Sequence, residues 1–159
     1  MVNRLDSTSS RTVKLWPIAL LRVYAGIYFA WYGLLKLRNA NFADGVERFL
    51  TANLDSAFAF YRPFAESVVI PHKSLFAALV GWGELAIGLA LIVGLGTRYA
   101  AFCGVFITAN VWFAQGQGVL AAGNNAVFWM LILLVLAFIP AGRVAGMDAG
   151  LADRLPFLR

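Results

Sequence analysis

The chain has 159 residues, 61% hydrophobic and 13% charged, against about 45–50% and about 25% in a typical soluble domain. That balance excludes an ordinary soluble fold, which cannot hide so much apolar surface, and places the chain in the membrane class. The net charge of +5 does not indicate nucleic acid, because the basic residues mostly flank apolar runs, where they set topology and meet anionic headgroups.

One cysteine, Cys103, leaves no intramolecular disulfide or Cys-x-x-Cys pair, and the single His72 cannot build a haem or metal site alone. In chain order, residues 1–15 read as a polar, flexible cytoplasmic arm with Arg4, Arg11 and Lys14. The apolar run 16–37 follows. At about 33 Å as helix it is long for a signal-peptide core, and is expected to be a retained transmembrane helix. Arg22, Gly26, Phe29, Gly33 and Lys36 share one of its faces, and the two glycines let a second helix approach closely there.

Residues 38–73 form a long polar connection in which 44–61 carries apolar residues at helical spacing. An amphipathic helix on the outer surface of the bundle is expected, with Asp44 and Glu47 as a capping pair and Pro63 as its stop. It serves as an interfacial anchor or as a cover over a lipid-soluble ligand. His72 is expected to be a solvated interfacial residue.

The second span, 74–95, places Ala77, Gly81, Glu84, Gly88, Leu91 and Leu95 on one face. A carboxylate at that depth costs roughly 2.5 kcal/mol or more, so Glu84 needs a partner or a task. The third span, 99–114, has a small-residue seam of Ala100, Gly104 and Thr108 beside Cys103, Phe106, Asn110 and Phe113. Asn110 is expected to hydrogen-bond across helices, and Cys103 to be a small core residue. The fourth span covers 124–140, and 143–159 is a polar tail. Four spans put both termini on one side. Seven Lys or Arg there against five opposite favour N-in/C-in, with the long loop outside. The fold expected is therefore an all-α membrane protein, a four-transmembrane-helix bundle with an amphipathic helix in the first loop.

If helices one and two run antiparallel with level ends, Arg22 and Glu84 lie about 7 Å apart along the axis. An Arg22–Glu84 ion pair, with Asn110 satisfying remaining lone pairs, is the candidate polar cluster. Lys36, Tyr28 and Arg98 are secondary candidates. No metal site is expected, and no catalytic residue is assigned.

Leu21-Arg22, Gly26-Ile27-Tyr28-Phe29 and Gly33-Leu34-Leu35-Lys36-Leu37, then Gly81-Trp82-Gly83-Glu84-Leu85-Ala86-Ile87-Gly88-Leu89-Ala90-Leu91 and Gly94-Leu95-Gly96-Thr97-Arg98, resemble the DoxX-like family of small four-helix membrane proteins. The pattern extends to an Ala-Gly-Arg turn at Arg143, with Asp148 just beyond. The resemblance implies the prokaryotic cytoplasmic membrane and kinship with small subunits of a terminal quinol oxidase and of thiosulfate:quinone oxidoreductase. The expected function is then a small subunit of a quinone-linked oxidoreductase complex. It would hold a quinone, or relay its proton, near Arg22 and Glu84, beside a larger membrane or redox partner. The chain has no covalent redox centre of its own. The alternative is a non-catalytic assembly, scaffold or accessory subunit.

Overall fold

A computed structural model describes residues 16–139, 141–143 and 146–148. The arm expected over 1–15 and most of the tail expected over 143–159 lie outside the described residues. Those residues are all-helical: α1 (Trp16–Arg38), α2 (Phe42–Asn53), a single turn α3 (Arg62–Phe64) running into a π-helical turn (Ala65–Val69), α4 (Lys73–Val93), α5 (Thr97–Gln115) and α6 (Asn125–Phe138), closed by a 3-10 turn (Ala141–Arg143).

α1 packs most extensively on α4, and α5 on α6, so the bundle is two antiparallel hairpins laid together. The α1–α4 contact is a glycine seam. A Cβ on Gly26 would strike the Ile92 nitrogen, one on Gly33 the Leu85 nitrogen at 2.5 Å, and one on Gly88 the Ala30 nitrogen at 2.2 Å. Each step along α1 is therefore matched by an equal step back along α4. Close backbone approach of this kind takes the place of the hydrophobic effect where the surroundings are as apolar as the helices.

The turn between α4 and α5 needs left-handed backbone at Gly94 (φ 74°), which ends α4. Gly116 (φ 63°) ends α5 and is crossed by the Ser56 carbonyl, where any side chain would collide. At α6, the Asn124 side chain caps the helix by accepting from the Val127 N–H at 3.2 Å.

Large apolar residues face outward on every long helix. Trp16, Leu20, Ile27 and Trp31 do so on α1, Leu79, Trp82 and Leu89 on α4, Phe102 and Phe106 on α5, and Phe128, Leu131 and Phe138 on α6. The interior holds a core of Phe29, Ile87, Leu91, Trp129, Leu133 and Leu136, small residues at the α1–α4 contact, and the charged Arg22 and Glu84. An apolar exterior over an interior that contains buried charges suits hydrocarbon rather than water. Among the described residues, α1 and α4 are the two helices long and apolar enough to cross a membrane. α5 matches them in length but is more polar, and α6 is apolar but only 14 residues long.

The long first connection departs from expectation. In place of one helix over 44–61, α2 stops at Asn53 and the chain turns through 54–61. There the Phe58 N–H donates to the Phe113 carbonyl at 3.1 Å, so pairing with α5 outweighs continued helix. Pro63 does not stop a helix but starts one, at a first-turn position where its missing N–H costs nothing. Asp44 and Glu47 do not form a capping pair. Asn41 occupies the cap position, and both acids take the Lys73 ammonium, at 2.7 and 2.5 Å, binding α2 to the start of α4. His72, at the cap position of α4, is exposed and holds the Val68 carbonyl through Nδ1 at 2.9 Å.

Candidate functional site

Glu84 lies mid-way along α4, 7% exposed, on the face pressed against α1. Its partner is Lys36: Nζ stands 2.5 Å from both carboxylate oxygens. The glycine register explains the choice. With Gly33 against Leu85 and Leu37 against Gly81, Glu84 is level with Leu34. Helical side chains lean toward their own N-terminus, so Lys36 reaches back to that level.

Arg22 does not pair with Glu84. The same register sets Arg22 level with Gly96, about 18 Å along the axis from Glu84 at 1.5 Å per residue. The assumption of level helix ends was wrong by about two turns. Arg22 does turn inward, at 1% exposed, and donates through Nη1 to the Ala141 carbonyl at 3.0 Å. Its guanidinium is cradled by Gly94 and Gly146, where a Cβ would stand 2.3 Å from Nη1. The nearby Asp148 carboxylate supplies the balancing charge. Asp148 also accepts from the Gly96 N–H at 2.7 Å and the Thr97 N–H at 3.2 Å, capping α5 from a distant segment. Arg98 works at this end too, its Nε donating to the Ala137 carbonyl at 3.3 Å and tying α5 to α6. Tyr28 stacks on Trp129 with ring centres 3.9 Å apart, filling the α1–α6 side.

The other side is open. Between α4 and α5, beneath α2, lies a cleft of about 980 Å³, at the upper end of the range of about 300–1,000 Å³ for small-molecule sites. α2 contributes Val46 and Phe49 as its roof, while Ala86 and Ile87 of α4 and Ile107 of α5 form its floor. Its walls are almost wholly apolar, and the polar side chains that reach it are Lys36, Tyr61 and Asn110. Asn110 does not bridge helices as expected: its amide donates to the Phe106 carbonyl of its own helix at 2.8 Å. This i−4 bond satisfies the donor locally. Cys103, expected in the core, is exposed in the cleft wall.

The structure therefore divides the sequence candidates. Lys36 and Asn110 both line the cleft, with Glu84 ion-paired to Lys36 but outside the lining, while Arg22 and Arg98 hold the opposite end and Tyr28 packs between α1 and α6. Residues the sequence did not single out are Tyr61, Gly45 and Gly83 in the cleft lining. The order of the glycines along the two helices was the available signal for the Lys36–Glu84 pairing. Tyr61 ends the stretch expected to form a cover, but nothing local marks which of its residues line the cleft.

No curated protein and no solved structure matches the chain. The DoxX family model matches residues 18–117, more than half of the chain and the stretch that carries α1, α2, α4, Lys36, Glu84 and Asn110. The chain belongs to the DoxX family.

Proposed function

We propose that this chain is a small integral-membrane subunit of a quinone-linked oxidoreductase complex and holds a quinone in the cleft beneath α2. The observation that carries the reading is the cleft itself: almost wholly apolar walls, with Asn110 and Lys36, the latter ion-paired to Glu84, among the few polar side chains of the lining. A quinone, when bound, supplies two-electron, two-proton chemistry. The lining fits such a group, since a flat apolar ring with two carbonyls needs hydrocarbon contact and a few donors.

Lys36 is the donor best placed to orient a carbonyl, because its ammonium has three N–H groups. Glu84, behind it, fixes the ammonium in place and is the nearest group able to hold a proton. The Tyr61 hydroxyl is a further donor from the roof side. The reading moves the quinone away from Arg22, whose guanidinium serves the clasp at the far end. In this reading α1, α4, α5 and α6 are the four spans of an inner-membrane bundle with both termini inside. α2 then lies at the outer surface, and the short α6 is completed by the Ala141–Arg143 turn. The electron donor resides in a partner polypeptide.

The test is lipid extraction from protein purified in mild detergent. Quinone is expected to co-purify, and to be lost in Lys36→Met and retained in Arg22→Lys. Equal quinone content in Lys36→Met would overturn the assignment.

A further inference from the structure

α2 contains a glycine that neither its helix nor its packing explains. Gly45 sits in the first half of an amphipathic helix, where glycine is less favourable than alanine. It is not among the positive-φ glycines, which are Gly94, Gly96, Gly116 and Gly123. A Cβ on Gly45 would meet nothing within 4 Å, in contrast to Gly33 or Gly88, where it would strike backbone. What Gly45 does border is the cleft, beside Val46 and Lys36. Gly83, on the floor next to Glu84, is similar: its Cβ would meet a single side-chain atom, Cδ1 of Ile107, at 3.3 Å. The lining is thus trimmed to backbone at one position on α2 and one on α4.

The charges of the Lys36–Glu84 pair cancel. Both Glu84 oxygens hold the Lys36 ammonium, which leaves no net cation for a phosphate headgroup. Farther down, the lining is hydrocarbon past Ala86 and Cys103. At its edge stand Leu79 and Phe106, 57% and 71% exposed, facing what would be lipid.

We propose that the cleft takes a neutral-headed, single-chain lipid. Its small head lies under α2 in the notch at Gly45, beside Lys36, and its chain runs past Ala86 and Cys103 to the bilayer between α4 and α5. Gly45 is the residue that sets the size of head admitted. The proposal rests on the cleft being a lipid site, and does not require the head to be a quinone.

Cys103, the single cysteine, provides the readout. The full chain in detergent is treated with a membrane-permeant maleimide while geranylgeraniol, a neutral isoprenoid alcohol inert to thiols, is titrated in. Labelling is expected to slow with geranylgeraniol and not with dioleoyl phosphatidylglycerol. Gly45→Leu is expected to shift the protecting concentration upward by about tenfold or more through overpacking. Gly45→Ala is expected to fold with unchanged or higher Tm and to weaken protection to a smaller degree. Protection that is the same in Gly45→Leu, equal protection by the phospholipid, or a lowered Tm in Gly45→Ala overturns the proposal. Isoprenoid protection with no quinone in the lipid extract overturns the quinone assignment and leaves this proposal standing. Co-purified quinone untouched by Gly45→Leu does the reverse.

Discussion

The Lys36–Glu84 pair makes the sharpest prediction, because the two partners differ in their access to water. The Lys36 side chain is 26% exposed and that of Glu84 is 9%. Removing one partner of a buried pair costs about 3–5 kcal/mol, since the remaining charge is stranded. Lys36→Met strands the more buried group and belongs at that level. Glu84→Gln leaves the ammonium of the more exposed partner, two residues from the end of α1, where it can swing out to water, so its cost is about 1–3 kcal/mol, in the range of a lost charge-assisted hydrogen bond. At about 2–4 °C per kcal/mol for a chain of this size, a loss of about 3 kcal/mol in Lys36→Met lowers Tm by roughly 6–12 °C. The double variant Lys36→Met/Glu84→Gln removes both charges and is expected to recover much of that loss. Thermal unfolding in one detergent across the cycle measures the coupling, expected at about 2 kcal/mol or more. The parallel cycle between Arg22 and Glu84, about 18 Å apart along the axis, is expected to be additive within about 0.5 kcal/mol. A Lys36/Glu84 cycle that is additive, or an Arg22/Glu84 cycle that is not, would refute the register and the pairing together.

Other outcomes follow from the same geometry. Gly88→Val sets a side chain where Cβ alone lies 2.2 Å from the Ala30 nitrogen. It is expected to force α1 and α4 apart and abolish a folded, monodisperse species in detergent chromatography. Asp148→Ala removes two bonds to the first N–H groups of α5 and the counter-charge to Arg22. A loss of about 1–2 kcal/mol is expected from the cap, read as lower Tm together with faster amide exchange at Gly96 and Thr97. The hydrogen bond from Lys73, and then its charge, hold the Asp44 carboxyl below its ordinary value of 3.8. A lowered folded value means that the stabilising contact is fully present above the ordinary value and disappears as pH falls through the lowered one. α2 should therefore stay anchored at neutral pH and loosen only below about pH 3.8. Proteolysis within 38–62 followed against pH checks this, and Lys73→Ala should remove the dependence.

How far the sequence reveals this molecule depends on the range of the interaction that decides each feature. α1 and α4 are legible because apolar length and glycine spacing are local properties, and the faces read from them, Arg22-Gly26-Phe29-Gly33 and Ala77-Gly81-Glu84-Gly88, are the buried ones. The partner of Glu84 is not local. It depends on how far one helix slides along the other, and a shift of two turns exchanges Arg22 for Lys36. Helix ends do not set that slide. Where Gly26, Gly33, Gly81 and Gly88 let backbones touch does, so matching glycine to glycine is the better rule for antiparallel pairs. The break in the long loop was hidden for a similar reason. Residues 54–61 keep helical spacing, and only the pairing of Phe58 with Phe113, remote in sequence, turns the chain away.

The two polar groups of residues at opposite ends of the bundle make different demands on their surroundings, and that difference separates clasp from site. Arg22 is enclosed by backbone: glycines on two sides, the Ala141 carbonyl and a capping carboxylate. A Cβ on either glycine would collide with the guanidinium, and Arg22 is 1% exposed, so it has no open face for a ligand. Lys36 is enclosed on one side by Glu84 and on the other by a cleft. Substitutions at the two ends should therefore fail differently. Arg22→Lys keeps the charge but loses the planar fork that spans Ala141 and the Asp148 side, and is expected to lower Tm while leaving lipid occupancy per folded molecule unchanged. Lys36→Arg keeps the charge and adds bulk at the cleft, and is expected to preserve Tm to within a few degrees while displacing the bound lipid. Tm and lipid content measured on the same two preparations decide the matter. Loss of both in Arg22→Lys, or of neither in Lys36→Arg, would show that the two ends are not the clasp and the site described here.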